Sequence, residues 1–160
     1  MTVETRLADL DSPPDAAAII SVLDSYASDP RGGSQPLSAA VKERLIPGLK
    51  AHPTTRVLLA FESGEPIGLC VGFFGFSTFQ ARPLLNIHDL AVVPGRRGGG
   101  VGRALLTAAE TLARQAGCCK LTLEVQDNNT PARTLYERYG FRDLVFGDSG
   151  PTRFMSKTLA

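Results

Sequence analysis

The sequence predicts a mixed α/β fold, because segments with helical periodicity are interspersed with segments that have the period of a β-strand. The chain has 160 residues, a length typical of one domain with one hydrophobic core. Clusters of glycine, proline and serine separate the segments, and neither an internal repeat nor a low-complexity tract interrupts them. We therefore expect a single domain that spans residues 1–160.

The first half of the chain is predicted to form two helices and four strands. Ser38 is a favourable N-cap for the second helix, which Pro47 and Gly48 are expected to close. The turn at 63–66 predicts a hairpin between two of the strands. In chain order, the predicted elements are a strand at 3–7, a helix at 15–28, a helix from 38 to about 50, and strands at 56–62, 66–79 and 84–93.

The second half is predicted to contain a long central helix, from Gly100 to Ala116, that ends at Gly117. After this helix we expect a strand at 121–125, a helix at 130–139 and two further strands, at 141–146 and 152–157. The helical period predicts that one face of the central helix consists of Val101, Leu105, Ala108, Leu112 and Gln115.

A basic, glycine-rich turn connects an apolar segment to the start of the central helix. Gly98, Gly99 and Gly100 lack a Cβ atom, so the backbone can adopt positive φ and a ligand can contact the main chain. The start of the helix offers unpaired N–H groups and roughly +0.5 of a charge, which favour an anion. Three nearby arginines add positive charge. The turn is therefore predicted to bind a phosphate or pyrophosphate group.

The composition argues against several classes of protein. The formal net charge is +1, with both signs scattered along the chain, whereas nucleic-acid-binding domains usually carry a strong basic excess. The cysteines include the adjacent Cys118 and Cys119 and no C-x-x-C spacing, so neither a disulfide framework nor a zinc site is expected. The apolar segments are far shorter than the ~20 residues of a membrane span. We expect a cytoplasmic protein that binds no metal, nucleic acid or membrane.

Two motifs stand out in the second half of the chain. The first, R-x-x-G-x-G from Arg97 to Gly102, lies between a predicted strand and a predicted helix. The second, N-x-x-A-x-x-L-Y-x-x-x-G-F from Asn129 to Phe141, covers the last predicted helix and the residues after it. They resemble the pyrophosphate loop and a later helix-to-strand segment of the GNAT family, whose members transfer the acetyl group of acetyl-CoA to an amine. The resemblance covers nearly the whole chain and is strongest from about residue 87 to residue 142.

The resemblance implies a fold and a co-substrate. The fold would be a central mixed, mostly antiparallel sheet with helices on both faces, in which two central parallel strands splay apart. The pantetheine arm of acetyl-CoA would lie along the strand before the turn, and the pyrophosphate would lie in the turn, near Arg96 or Arg97. The exposed strand edges would also suit a homodimer. The residues expected to bind the co-substrate are Leu90, Ala91, Val92, Arg96, Arg97, Gly98, Gly99, Gly100, Val101, Gly102, Arg103, Asn129, Ala132, Arg133 and Tyr136.

Acetyl transfer requires an unprotonated amine and a proton for the departing thiolate. An amine with a pKa near 10.4 is mostly protonated at neutral pH, and deprotonating it costs about 4–5 kcal/mol. His88 matches a position that often carries the base in the family, and an imidazole suits this proton transfer. Tyr136 matches the family tyrosine whose hydroxyl lies near the thioester sulfur. The resemblance therefore implies direct attack of the amine, with His88 as base and Tyr136 as acid.

Three further residues are expected near the amine acceptor. Asn86 shares a strand face with His88 if the side chains alternate strictly. Glu124 lies on the predicted strand that would flank the cleft, where it could bind a cationic substrate or assist as base, so His88, Glu124 and a water all stay open as the base. Phe79 belongs to an aromatic cluster that would wall the acceptor site. Strict alternation places Asn86, His88, Leu90 and Val92 on one face and Ile87, Asp89 and Ala91 on the other.

Three functional classes remain open at this point. The first is an N-acetyltransferase that acts on a small primary amine or, alternatively, on a protein N-terminus or lysine. The second is a non-catalytic acyl-CoA-binding sensor, against which the presence of both His88 and Tyr136 argues. The third is a dinucleotide-binding Rossmann domain, suggested by the glycines and by Glu124 about 20 residues further on. It fits poorly, because Leu105 stands where that motif requires a small residue.

Overall fold

The computed structural model describes residues 2–159, which divide between Leu123 and Glu124 into two compact units. The first unit contains β1 (Glu4–Leu7), α1 (Pro13–Ser28), α2 (Ala39–Ala51), β2 (Thr55–Glu62), β3 (Glu65–Ser77), β4 (Arg82–Val92), a short 3-10 turn (Pro94–Arg96), α3 (Val101–Gln115) and β5 (Leu121–Leu123). The second unit contains α4 (Thr130–Tyr139). The predicted mixed α/β fold is confirmed.

The five strands form one mixed sheet in the order β1-β2-β3-β4-β5. Strands β1 to β4 pair with one another in antiparallel fashion, and β5 pairs with β4 in parallel fashion. The turn at Ser63 and Gly64 joins β2 to β3 as a hairpin, because both residues adopt positive φ. This is the mostly antiparallel sheet that the resemblance implied.

Helices cover both faces of the sheet. Leu69 and Val71 of β3 belong to a buried cluster with Ile19 and Val22 of α1. On the opposite face, a Cβ atom added at Gly68 would lie 3.0 Å from Cγ1 of Val101 in α3. Since neighbouring residues of a strand point to opposite faces, α1 and α3 lie on opposite sides of β3.

The buried face of α3 differs in part from the predicted face. Val101 and Leu105 are buried as expected, whereas Ala108 and Leu112 are only partly buried and Gln115 is exposed. The prediction followed a 3.5-residue spacing, whereas the packed row follows a spacing of four residues and uses small alanines that let the helix approach the sheet. The residues that α3 buries are Val101, Leu105, Leu106, Ala109 and Ala113.

The second helix ends at Ala51, close to its predicted end near residue 50, but Pro47 and Gly48 do not close it. Pro47 lies inside α2, and the N–H of His52 still donates to the carbonyl of Gly48 at 3.1 Å. Leu49, in this last turn, is buried in the cluster beneath α1. Packing of an apolar side chain therefore outweighs the hydrogen bond that proline removes.

The two strands predicted at 141–146 and 152–157 are not present. Within the second unit, residues after α4 form only an isolated bridge between Val145 and Pro151. Gly147 and Gly150 adopt positive φ between the two segments, and Phe154 is exposed. A two-stranded ribbon alone is marginally stable, so alternating apolar residues do not suffice to form these strands.

Candidate functional site

The far half of β4 has an open edge. Pairing between β4 and β5 covers only residues 85–87 of β4 and ends at Ile87 and Leu123. Residues Leu90, Ala91 and Val92 pair with β3 on their other side. Residues 88–92 of β4 thus extend past the last residue that pairs with β5, which ends at Leu123. Backbone groups along this edge can accept an extended ligand arm in place of a strand.

A β-bulge at His88 lies where the pairing of β4 with β5 ends. Ile87 pairs with Gly72 and Asp89 pairs with Val71, so His88 is the extra residue. Because paired residues share a face, the bulge places Asp89 and Ala91 on the face of Val71, which α1 covers. Asn86 lies on this face, whereas Leu90 and Val92 lie on the other. The predicted strict alternation from 86 to 92 is therefore wrong.

The His88 side chain is exposed and lies against an aromatic ring. Its imidazole is 5.6 Å from the ring of Phe73, centroid to centroid, in an edge-on arrangement. The imidazole of His52 contacts the same ring at 4.8 Å, also edge-on. The sequence predicts no role for His52, which stands beside Pro53 in a predicted loop.

Asp89 is a second titratable group at the bulge. Its carboxyl is largely shielded from water, and burial raises its pKa, while the neighbouring His88 partly offsets this shift. Burial also raises the pKa of Cys70, on the paired strand, to about 12, with a further contribution from the charge of Asp89. The Cys70 thiol is therefore protonated and unsuited to act as a nucleophile.

The glycine-rich turn (residues 94–100) presents the start of α3 without a side-chain cap. Gly98 and Gly100 have φ of +81° and +85°, a conformation that side chains rarely adopt. Gly100 is the N-cap residue, and the helical hydrogen bonds start where the Ala104 N–H donates to the Gly100 carbonyl. An anion at this position would meet main-chain amides of the first turn.

Two of the three arginines near the turn are paired with carboxylates. Arg96 Nε lies 2.7 Å from Glu62 at the end of β2. Arg97 Nη1 lies 3.0 Å from Asp29, and Arg97 Nε donates to the carbonyl of Val92 at 3.1 Å. Sequence spacing could not show these pairs, because the partners are 34 and 68 residues apart.

The second motif organises α4 within the second unit. The Asn129 side chain caps the helix by accepting from the N–H of Ala132 at 3.4 Å. Arg133 is paired with Asp127 at 2.8 Å. Tyr136 is buried, with its ring 5.8 Å from that of Phe141.

The three residues expected near the acceptor occupy different places. Asn86 donates to the Thr122 hydroxyl at 3.0 Å and so links β4 to β5 one residue before their pairing ends. Phe79 is 95% exposed in the turn between β3 and β4, about five residues or ~17 Å along the strand from the bulge. Glu124 is exposed at the start of the second unit. The structure thus places Asn86, but not Phe79, next to His88 along β4.

The described part of the chain brings together no group of three or more His, Cys, Asp or Glu side chains that could hold a metal ion. None of its helices is both long and apolar enough to cross a bilayer.

Comparison with known proteins identifies relatives along most of the chain. Residues 19–141 match the model of the acetyltransferase (GNAT) family. An uncharacterized N-acetyltransferase of Bacillus subtilis, YhfO, is 37% identical over 131 residues, which cover 81% of this chain and 85% of that protein. Streptothricin acetyltransferase of Streptomyces lavendulae is 42% identical over 74 residues, which cover 46% of this chain and 39% of that protein.

Solved structures share the fold over nearly the full length. A protein of Arthrobacter sp. FB24, provisionally named an acetyltransferase, is 31% identical and superposes with a TM-score of 0.78, covering 98% of this chain and 96% of that one. A ribosomal-protein-alanine N-acetyltransferase of Brucella melitensis has a TM-score of 0.71 at 20% identity, covering 96% of this chain and 100% of that one. The chain therefore belongs to the GNAT family and is an acetyl-CoA-dependent acetyltransferase.

Proposed function

We propose that this protein transfers the acetyl group of acetyl-CoA to the primary amine of a small molecule. The observation that carries the proposal is the continuity of residues 88–102. An open strand edge at Leu90–Val92 leads directly into the glycine-rich turn and the uncapped start of α3. A ligand with an amide-containing arm and a diphosphate, as in coenzyme A, can bond to both parts at once.

In this proposal the main chain makes the principal contacts with the co-substrate. The pantetheine amides bond to the edge of β4, and the diphosphate accepts bonds from amides between Gly98 and Gly102. The N–H groups of the open edge also polarise the thioester carbonyl, where negative charge develops during attack. From the second motif we propose contacts by Asn129, Ala132, Arg133 and Tyr136.

The proposed base is His88. Its position on a bulge exposes the imidazole beside the open edge, where an incoming amine would approach the thioester. The amine must lose a proton at a cost of about 4–5 kcal/mol at neutral pH, and an imidazole can accept it directly or through a water. The adjacent Asp89 would stabilise the imidazolium that forms. Glu124 and a water acting alone remain the alternatives as base.

The proposed acid is Tyr136, which would donate its phenolic proton to the thiolate of coenzyme A as the carbon–sulfur bond breaks. The amine nitrogen forms the new amide bond directly, so no acetylated enzyme intermediate is required. The protonated state of Cys70 supports this view, because the thiol nearest the bulge in β3 is not activated.

A small amine is favoured as acceptor by the relatives. The names of three of them specify streptothricin, thialysine and aminoalkylphosphonates, which carry amino groups on small molecules. The sequence matches to these three cover 39% to 61% of their lengths, so their acceptors are candidates for a test.

The test is release of free thiol from acetyl-CoA across a panel of small amines, with amino-terminal peptides and lysine peptides as the second arm. We expect turnover with at least one small amine, confirmed by mass spectrometry of the acetylated product. Turnover with peptides alone would favour the protein-directed alternative. Coenzyme A binding without turnover in either arm would favour the sensor.

A further inference from the structure

The side chain of Arg97, the first residue of the pyrophosphate motif, is already occupied within the protein. Its Nε donates to the carbonyl of Val92, the last residue of β4, and its Nη1 bonds to the carboxylate of Asp29 at 3.0 Å. The side chains of Arg97 and Asp29 are 27% and 14% exposed. The guanidinium thus joins the end of β4 to the loop between α1 and α2 (residues 29–38, the α1–α2 loop).

Asp29 is itself held in place by its own loop. One carboxylate oxygen accepts from the N–H of Arg31 at 3.0 Å, and the other binds Arg97. The carbonyl of Asp29 accepts from the N–H groups of Gly32 and Ser34, at 2.8 and 3.1 Å. The pKa of the Asp29 carboxyl is lowered, chiefly by the N–H of Arg31 and further by Arg97, so the carboxyl stays ionised at neutral pH.

The α1–α2 loop has little freedom to move away from α1. A Cβ atom on Gly32 would lie only 1.9 Å from the carbonyl oxygen of Tyr26, so this glycine backbone packs directly on the last turn of α1. Gln35 also bonds back to the carbonyl of Ala27 at 3.0 Å. Through Asp29, Arg97 is therefore linked to an exposed loop whose backbone bonds to the last turn of α1.

We propose that Arg97 braces the glycine-rich turn against the α1–α2 loop through Asp29, and does not contact the phosphates of coenzyme A. In this arrangement Asp29 and Arg97 are positioning residues that hold residues 94–100 in the conformation that exposes the amides of α3. Binding of coenzyme A and ordering of the α1–α2 loop are then coupled, and each stabilises the other. This inference rests on the proposed coenzyme A site.

The brace and a direct phosphate contact predict effects of opposite sign for one substitution. Asp29→Asn removes a negative charge near the diphosphate and releases Arg97. If Arg97 served as a phosphate ligand, coenzyme A would bind equally well or more tightly. If Arg97 is a brace, the turn loses its support and coenzyme A binds less tightly.

Isothermal titration of coenzyme A into the full chain distinguishes these cases. We expect Asp29→Asn and Arg97→Gln each to raise the Kd by about fivefold. The double variant should be no weaker than the weaker single variant, because both changes break one contact. Asp29→Glu, which keeps the charge, should recover part of the loss. An unchanged or lower Kd for Asp29→Asn overturns the brace.

Asp24→Asn provides a matched control, because Asp24 of α1 holds the same loop at Leu37. Asp24 accepts from the N–H of Leu37 at 2.8 Å and from Lys42 at 2.6 Å, and it makes no contact with the glycine-rich turn. This change should loosen the loop and leave the Kd for coenzyme A within about twofold of the wild-type value. A loss equal to that of Asp29→Asn would show that general loosening is responsible and would overturn the brace.

Hydrogen exchange of the amides of Gly32, Ser34 and Gln35 supplies the second readout. Saturating coenzyme A should slow their exchange in the wild-type chain and in Asp24→Asn, but not in Arg97→Gln. Equal slowing in Arg97→Gln contradicts the coupling. If coenzyme A fails to bind the wild-type chain, the proposed function and this inference both fail, whereas binding without coupling removes the inference alone.

Discussion

His88 shows how one residue can set the geometry of the site. As the extra residue of a bulge, it is exposed beside the open edge, and it moves Asp89 to the face that α1 covers. A strict two-residue period would have placed His88 on one face of β4 with Leu90, and Asp89 on the other face with Ile87. The proposed base and its acidic neighbour therefore owe their positions to an irregularity in β4.

His88→Ala should lower kcat/KM for acetyl transfer by about 10²-fold, because the amine loses its proton acceptor. The loss should be smallest at low pH, because a protonated imidazole cannot accept a proton in the wild-type protein either, so the acidic limb of the kcat/KM profile should become shallower. His52→Ala is the matched control, since that imidazole contacts the same Phe73 ring. A variant with the wild-type pH profile would remove His88 from the mechanism.

Asp15 is a residue on which the stability of the first unit depends. Its side chain is 4% exposed and forms two bonds with the guanidinium of Arg6, at 2.6 and 2.7 Å, and a third with the N–H of Asp9 at 2.8 Å. These contacts attach the start of α1 to β1.

Asp15→Asn should lower the free energy of unfolding by about 2 kcal/mol, because an amide cannot replace a carboxylate that accepts charge-assisted bonds. Urea denaturation at pH 7 measures the change. Asp11→Asn is the control, since Asp11 pairs with Lys50 on the surface and is 71% exposed. Equal effects of the two substitutions would contradict the role assigned to Asp15.

At the scale of elements, α3 and β3 form the support of the proposed phosphate site. Gly68 of β3 lies beneath the first turns of α3, where an added Cβ would be 3.0 Å from Val101 Cγ1 and from the carbonyl oxygen of Ala91, and 3.2 Å from Leu105. The absence of a side chain at Gly68 thus allows the helix to sit directly on the sheet.

Gly68→Val should destabilise the protein by about 1–3 kcal/mol, because the added atoms push against backbone and buried side chains. It should also weaken coenzyme A binding, since the displaced helix start carries the proposed phosphate-binding amides. Gly75→Val is the control within β3, where a Cβ meets only the flexible end of Leu84. A Gly68→Val variant with wild-type melting temperature and Kd would show that the close contact is unimportant.

The elements were largely predictable because their signals are local. Ser38 caps α2, Gly100 and Gly117 bound α3 in left-handed conformations, and helical periodicity located α4. The continuation of α2 beyond Pro47 and the absence of the last two strands depend on packing, which local periodicity does not report.

The candidate site was predictable only where it is built from one continuous segment. The motifs identified the glycine-rich turn and the position of His88. The contacts of Arg97 with Asp29 and of His52 with Phe73 join residues far apart in the chain, and a lone sequence contains no sign of them. The bulge arises from pairing between β3 and β4, so a one-dimensional period could not reveal it.

At the scale of the whole molecule, family similarity crosses the division between the two units. The family model covers residues 19–141, whereas the units divide between Leu123 and Glu124. The first motif belongs to one unit and the second to the other. Both units thus belong to the segment that defines the family.

The pH dependence of the free energy of unfolding reflects the combined effect of several carboxyl groups in the first unit. The pKa values of Asp15, Asp24 and Asp29 are lowered, chiefly by Arg6, by Lys42 and by the N–H of Arg31, respectively. A group with a lowered pKa in the folded state stabilises the fold above its unfolded pKa of about 3.9, and this contribution is lost as the pH falls through the folded value. The raised pKa of Asp89 acts in the opposite direction.

Because three lowered carboxyls oppose one raised carboxyl, the urea midpoint should change little between pH 7 and about pH 5 and then fall toward pH 3. Asp15→Asn should make this acid limb shallower, since one of the lowered carboxyls is gone. Asp89→Asn should have the reverse effect, with a steeper acid limb, because the one group that favours the fold on protonation is absent. A midpoint that rises on acidification would mean that Asp89 dominates the balance and that the three ion-paired carboxyls contribute little.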